Sequence, residues 1–119
     1  MDEYMILLPD DEGAWERLDD AGRQAVYDRH EEFGRRLEAG GHVVTGGAEL
    51  QHSRSGCTVR MVDGQASVTA GPPTAAAEQL SGFYLVQTED LDGLTEACAL
   101  LAADAPVEIR PLARPEGAE

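Results

Sequence analysis

Hydrophobic positions change their spacing from one segment of the chain to the next, and each spacing predicts an element. Residues 4–8 form a continuous apolar run that closes at a proline, which is typical of a strand buried on both faces and central in its sheet. From Ala21 to Ala39 apolar side chains recur every three or four residues, so a long helix is predicted to end at Gly40-Gly41. Its inward stripe comprises Val26, His30, Phe33 and Leu37.

The rest of the chain is predicted to consist of strands around one hairpin and a second helix. Residues 42–50 resemble a strand, but the paired Gly46-Gly47 indicates a bulge or a place where another group approaches the backbone closely. Residues 57–62 and 65–69 are predicted to form a hairpin, because Asp63-Gly64 suits a type I′ turn. The remaining predicted elements are a short helical turn near 14–18, strands at 82–88 and 106–112, and a helix that begins at Asp90 and continues to about residue 103.

This order predicts an α+β fold in which two helices serve one largely antiparallel sheet. Two helices cover only one face, yet residues 4–8 and 82–86 are apolar at both sets of alternating positions. We therefore expect a second copy of the chain to cover the other face, which gives a homodimer packed sheet to sheet.

Length and charge narrow the class of protein. The 119 residues fit one domain, predicted at 1–112, followed by a disordered tail at 113–119. Acidic residues number 23 against nine basic ones, so the net charge of −14 argues against nucleic-acid and membrane-surface partners. All nine basic residues are arginine, which excludes lysine Schiff-base chemistry. The sequence contains neither the pattern of a secretory signal nor an apolar run long enough to span a membrane, so we expect a cytoplasmic protein.

His30 is the main candidate for chemistry, since it lies in the apolar stripe of the long helix. Burial there would keep its imidazole neutral and suited to proton transfer, although a structural, hydrogen-bonded histidine is the plainer interpretation. The three histidines share no metal-ligand spacing, and no cofactor motif is present, so we expect neither a metal nor a cofactor. Cys57 and Cys98 are interpreted as reduced core residues.

The segment from residue 69 to residue 85, with the end of the chain, resembles the DGPF branch of the YCII-related domain family. Gly71, Pro72, Glu78, Gly82, Phe83, Tyr84 and residues 107–111 match its signature, whereas Ala70, Pro73 and Ala77 replace the aspartate, phenylalanine and lysine of the motif. The resemblance implies a ferredoxin-like unit that dimerises into an α/β barrel. It also implies that His30 corresponds to the helix histidine which, paired with an aspartate, is the proposed active site of the wider family.

Because Ala70 stands where that aspartate is expected, the sequence favours a non-catalytic binding or regulatory role. Members of this branch are often encoded beside sigma factors, so the resemblance suggests a protein partner in transcriptional regulation. Two alternatives stay open: a cofactor-free isomerase, lyase or oxygenase that uses His30 on a small cyclic compound, and a small-molecule sensor without turnover. The predicted binding residues for a small apolar ligand are Gly71, Pro72, Glu78, Phe83 and Tyr84. Asp63 and Glu78 are the nearest candidates to replace the missing aspartate.

Overall fold

The computed structural model describes residues 1–113, which form six strands and three helices. In chain order these are β1 (Asp2–Asp11), α1 (Glu12–Arg17), α2 (Asp20–Ala39), β2 (Val43–Glu49), β3 (Cys57–Val62), β4 (Gln65–Ala70), β5 (Glu78–Thr88), α3 (Leu91–Cys98) and β6 (Glu108–Pro111). Short 3-10 turns cover Ser53–Ser55 and Leu101–Ala103. The predicted disordered tail began at residue 113, and its residues 114–119 lie outside the described part of the chain. Over residues 1–113, no helix has both the length and the apolar character that a membrane crossing requires.

One antiparallel sheet holds four strands in the order β2, β5, β1, β6, and β3 pairs only with β4 in a separate two-stranded sheet. The α+β prediction is confirmed, and so is the central position of β1 between two partners. Without the short helix α1 and the β3–β4 hairpin, the element order is strand, helix, strand, strand, helix, strand, which is compatible with the ferredoxin-like arrangement.

The core lies between one face of the sheet and the two longer helices. Ile6 and Val86 from the sheet, Phe33 and Leu37 from α2, and Leu94 from α3 are all fully buried. The helices begin where side chains cap them: Asp19 accepts a hydrogen bond from the Gly22 amide at 2.7 Å, and Asp90 accepts one from the Gly93 amide at 2.9 Å. Of the predicted inward stripe of α2, Phe33 and Leu37 enter the core, whereas Val26 and His30 are half-buried and border a cleft. Helix α3 ends at Cys98, and a 3-10 turn follows it.

The opposite side of the sheet presents a second apolar surface, which we call the outer face: Met5, Leu7, Phe83 and Leu85. Met5 lies beside Leu85 and Leu7 beside Phe83 in the β1–β5 register, and all four side chains are only partly buried. Side chains alternate along a strand, so these residues point away from the core that Ile6 and Val86 enter. The predicted double-sided apolar character of the two central strands is confirmed.

The β3–β4 hairpin, which we call the arm (residues 57–70), is a second uncovered surface. Its turn has φ angles of +52° at Asp63 and +79° at Gly64, as the sequence predicted. One face of the arm is apolar throughout, and its larger members stay 61–68% exposed. This face comprises Cys57, Val59, Met61, Ala66, Val68 and Ala70.

The two cysteines have different environments. The core assignment of Cys57 is wrong, because its strand belongs to the arm and the residue is exposed. The assignment of Cys98 is confirmed, and burial raises the pKa of its thiol to about 11.

Strands β2 and β5 approach each other closely at Gly46-Gly47. The register shifts between Val44 and Gly46, which is the predicted bulge. Gly47 has a φ of +152°, and a Cβ atom there would lie 2.6 Å from the carbonyl oxygen of Phe83. Only glycine fits this position without displacing β5.

This close approach predicts opposite effects for two glycine-to-alanine changes. Gly47→Ala is expected to lower the free energy of unfolding by about 1–3 kcal/mol, because the backbone conformation and the space both exclude a side chain. Gly34→Ala, inside α2, places the added carbon where no atom lies within 4 Å apart from the helix backbone and the adjacent residues. This change is expected to raise the free energy of unfolding by about 0.5–1 kcal/mol. Urea unfolding followed by circular dichroism measures both, and equal effects would contradict the close approach.

Candidate functional site

A cleft with a volume of about 640 Å³ opens between the sheet and the first two helices. Its floor comes from the carboxyl-terminal half of β1, the end of β2 and the middle of β5, while α1 and the first half of α2 form one wall. Aromatic and apolar side chains contribute much of the lining: Leu8, Trp15, Val26, Tyr27 and Tyr84.

His30 and Tyr84 form a hydrogen-bonded pair inside this cleft. The Nδ1 atom of His30 lies 2.7 Å from the hydroxyl oxygen of Tyr84, and both side chains line the cavity. Burial lowers the pKa of His30 and, together with the nearby Glu49 carboxylate, raises the pKa of Tyr84. Both groups are therefore uncharged at neutral pH, and the phenol keeps its proton.

The pair can hold its proton in two arrangements. If the Tyr84 hydroxyl donates to Nδ1, the ring proton of His30 is on Nε2. If Nδ1–H donates to the Tyr84 oxygen instead, the phenol is free to donate to a ligand and Nε2 is free to accept. The arrangement can consequently serve either as a hydrogen-bonding anchor or as a proton relay.

Glu49 is a carboxylate whose negative charge raises the pKa of both members of this pair. One of its oxygens accepts a hydrogen bond from the Tyr27 hydroxyl at 2.9 Å, and that bond raises the pKa of Tyr27. The negative charge of Glu49 opposes, but does not overcome, the lowering of the His30 pKa by burial. Sequence reasoning missed Glu49, although a carboxylate that ends a strand two residues after a close-approach glycine was a usable signal.

A polar cluster joins α1 to the turn at Ser53–Ser55 and forms one rim of the cleft. Glu12 accepts hydrogen bonds from the hydroxyl and the amide of Ser53 at 2.5 and 2.7 Å, and Arg54 donates to Glu16 at 2.9 Å. The Nδ1 atom of His52 accepts from the Arg54 amide, which leaves the proton of a neutral ring on Nε2, 3.4 Å from Glu16. These contacts hold the rim in place.

The cleft brings together the side chains of two of the six residues that the sequence singled out, His30 and Tyr84. Phe83 also borders the cleft, but its side chain belongs to the outer face. Gly71 instead lies buried at the base of the arm, where its amide donates to the Gly56 carbonyl at 2.8 Å. Neither Pro72 nor Glu78 lines the cleft, so a binding role for these two residues and Gly71 stays a prediction. Asp63, one of the two suggested replacements for the missing aspartate, lies in the arm turn.

The third histidine is remote from the cleft lining. His42 is buried immediately before β2, where its Nδ1 atom lies 2.7 Å from the hydroxyl oxygen of Thr88. Within residues 1–113, no three histidine, cysteine or acidic side chains come together in a way that could hold a metal ion.

The environment of His30 predicts its titration. In NMR, the His30 Cε1 proton is expected to titrate with a pKa below the ordinary value of 6.5, because burial disfavours the charged ring. The unfolded chain takes up this proton at higher pH than the folded one, so stability falls as pH drops from 6.5 toward the lower folded pKa. His30→Gln should lose that component of the pH dependence. A midpoint at or above 6.5 would contradict the burial described here.

Comparison with known proteins agrees with the resemblance found in the sequence. A comparison with curated proteins found no match. The profile of the YCII-related domain matches residues 3–110. This range includes all three helices and every strand, apart from the first residue of β1 and the last residue of β6. This match spans most of the chain, so the protein belongs to the YCII-related domain family.

Proposed function

We propose that this protein binds a small, mainly apolar molecule in the cleft and that the His30–Tyr84 pair provides the polar contact. The observation that carries the proposal is the 2.7 Å hydrogen bond between two uncharged side chains that both line the cavity. A volume of about 640 Å³ lies within the range usual for small-molecule sites. The aromatic and apolar lining favours a ligand with an apolar body, and the pair would fix its orientation by a single carbonyl or hydroxyl group.

The test compares two tyrosine-to-phenylalanine changes. A library of small cyclic carbonyl and hydroxyl compounds is screened by thermal shift, and dissociation constants of the hits are measured by calorimetry. Tyr84→Phe removes one hydrogen bond to the ligand and is expected to weaken binding about threefold to tenfold. Tyr4→Phe makes the same change in the core, outside the cleft lining, and should leave affinity unchanged. The proposal fails if no compound binds, or if both variants bind like the wild type.

A second candidate function is supported by the same pair. An imidazole with a lowered pKa beside a phenol could move a proton in a cofactor-free isomerase, lyase or oxygenase acting on a cyclic compound. The two functions are distinguished by analysing the same protein–compound mixtures for chemical change. An enzyme is expected to form a new product or to incorporate solvent deuterium into the compound, and His30→Gln should abolish both. Binding without either result supports a sensor or binding protein.

The suggested link to sigma-factor regulation is supported by the family resemblance alone. A protein partner of this kind therefore stays a proposal, and the cytoplasmic location stays an expectation from the sequence.

We also propose that the protein is a homodimer, with the α/β-barrel arrangement of two sheets as its architecture. Two observations support it: the outer face is apolar at its centre, and the larger apolar side chains of the arm are 61–68% exposed. Stable interfaces bury about 800 Å² on each partner, which neither a single strand pair nor an isolated hairpin readily supplies. A sheet-to-sheet contact extended by the arms is the economical way to cover both surfaces.

The arm allows a test of the dimer that does not disturb the core. Val68 is 65% exposed in the single chain, so Val68→Asp should fold normally but place a charge in the dimer contact. Light scattering at micromolar concentration is expected to give twice the 12.7 kDa chain mass for the wild type and a shift toward the monomer for Val68→Asp. Ser67→Asp, on the polar face of the same strand, should remain dimeric. A monomeric wild type would contradict the proposal.

A further inference from the structure

We infer that the cleft selects an organic cation, a protonated amine carried on an apolar body, over neutral or anionic molecules of the same shape. This inference rests on the proposed binding function and specifies the class of ligand. It arises from the combination of a cavity, aromatic walls and an excess of carboxylates, each of which is visible in the cleft lining.

The aromatic wall already holds one cation. The guanidinium carbon of Arg23 lies 5.2 Å from the centre of the Trp15 ring, and Trp15 meets Tyr27 edge to face with 5.6 Å between ring centres. Aromatic faces attract cations through their quadrupole, and the attraction strengthens as water is removed. The Arg23–Trp15 contact is thus an internal example of the recognition that Tyr27 and Tyr84 can offer a ligand.

The charges that line the cleft favour the same class of ligand. Four carboxylates and two guanidinium groups face the cavity, which leaves an excess of two negative charges: Asp10, Glu12, Glu16 and Glu49 against Arg23 and Arg54. Both arginines are engaged within the chain, Arg54 with the Glu16 carboxylate and Arg23 with the backbone carbonyls of Trp15 and Glu16. The Glu16 carboxylate therefore offsets the charge of Arg54, whereas Arg23 keeps its positive charge over the Trp15 ring.

Glu49 is the carboxylate best placed to meet an ammonium group. Glu12 and Glu16 are used by Ser53, Arg54 and His52 at the rim, whereas Glu49 accepts one hydrogen bond, from Tyr27. A carboxylate can accept about four hydrogen bonds, so Glu49 retains capacity for a charged donor. Its position in β2 opposite Gly82, next to the Gly47–Tyr84 register pair, places it on the same side of the sheet as the His30–Tyr84 pair.

The charge of the whole chain acts in the same direction. A net charge of −14 raises the local concentration of cations and lowers that of anions around an acidic cleft. Binding of a cation should accordingly weaken as salt is added, while binding of a neutral analogue should change little.

The experiment uses three probes of matched shape: phenethylamine as the cation, 2-phenylethanol as the neutral compound and 3-phenylpropionate as the anion. Calorimetry at pH 7.5 is expected to show the amine binding at least about tenfold more tightly than the alcohol, because it gains a charge-assisted hydrogen bond and a cation–π contact. Glu49→Gln should remove most of this preference, because it weakens binding of the amine far more than binding of the alcohol. Glu96→Gln removes one exposed carboxylate on α3 and serves as the control for net charge.

Equal affinity for the three probes, tighter binding of the alcohol or the acid, or a Glu49→Gln protein that still prefers the amine would each overturn the inference. Failure of the amine to bind would overturn it as well. None of these results removes the proposed function, which fails only if no compound binds in a manner that depends on Tyr84. Glu49 is exposed, so circular dichroism and the melting temperature can establish that both glutamine variants fold alike.

Discussion

The packing of α2 against β5 at Tyr84 is the contact on which both the core and the cleft depend. The ring of Tyr84 packs against Phe33, with 5.2 Å between ring centres, while its hydroxyl group meets His30. His30 and Phe33 are three positions apart on one helix, so they face the same strand. Because Phe33 is fully buried, the packing that excludes water from the core also fixes the position of the phenol in the cleft.

This geometry changes how the altered family signature is to be interpreted. The sequence favoured lost chemistry because Ala70 replaces an aspartate, on the assumption that this residue would partner His30. In the structure Ala70 ends β4 and pairs with Cys57 at the base of the arm, and it does not line the cleft. Within one copy of the chain, the substitution therefore leaves the surroundings of His30 untouched, and Tyr84 is the hydrogen-bond partner instead.

Local sequence signals predicted the elements well and the site only in part. The Asp63-Gly64 turn and the Gly46-Gly47 bulge could be predicted because backbone conformation at these positions depends on the residues themselves. The position of the arm could not be predicted from the sequence. Alternation along Cys57–Val62 reveals an apolar face but does not indicate which sheet the strand joins. For the same reason, the meeting of Glu49 with Tyr27, 22 positions apart, follows from the folded arrangement of β2 and α2.

The three histidines offer a direct measurement of the central claim, which is that a ligand contacts the His30–Tyr84 pair. His30 lies in the cleft, His52 on its rim and His42 beside Thr88, outside the lining. Imidazole ¹⁵N resonances recorded during titration with a bound compound should show the largest change at His30, a smaller one at His52 and none at His42. A titration that perturbs His42 as much as His30, or leaves His30 unchanged at saturation, would contradict the account.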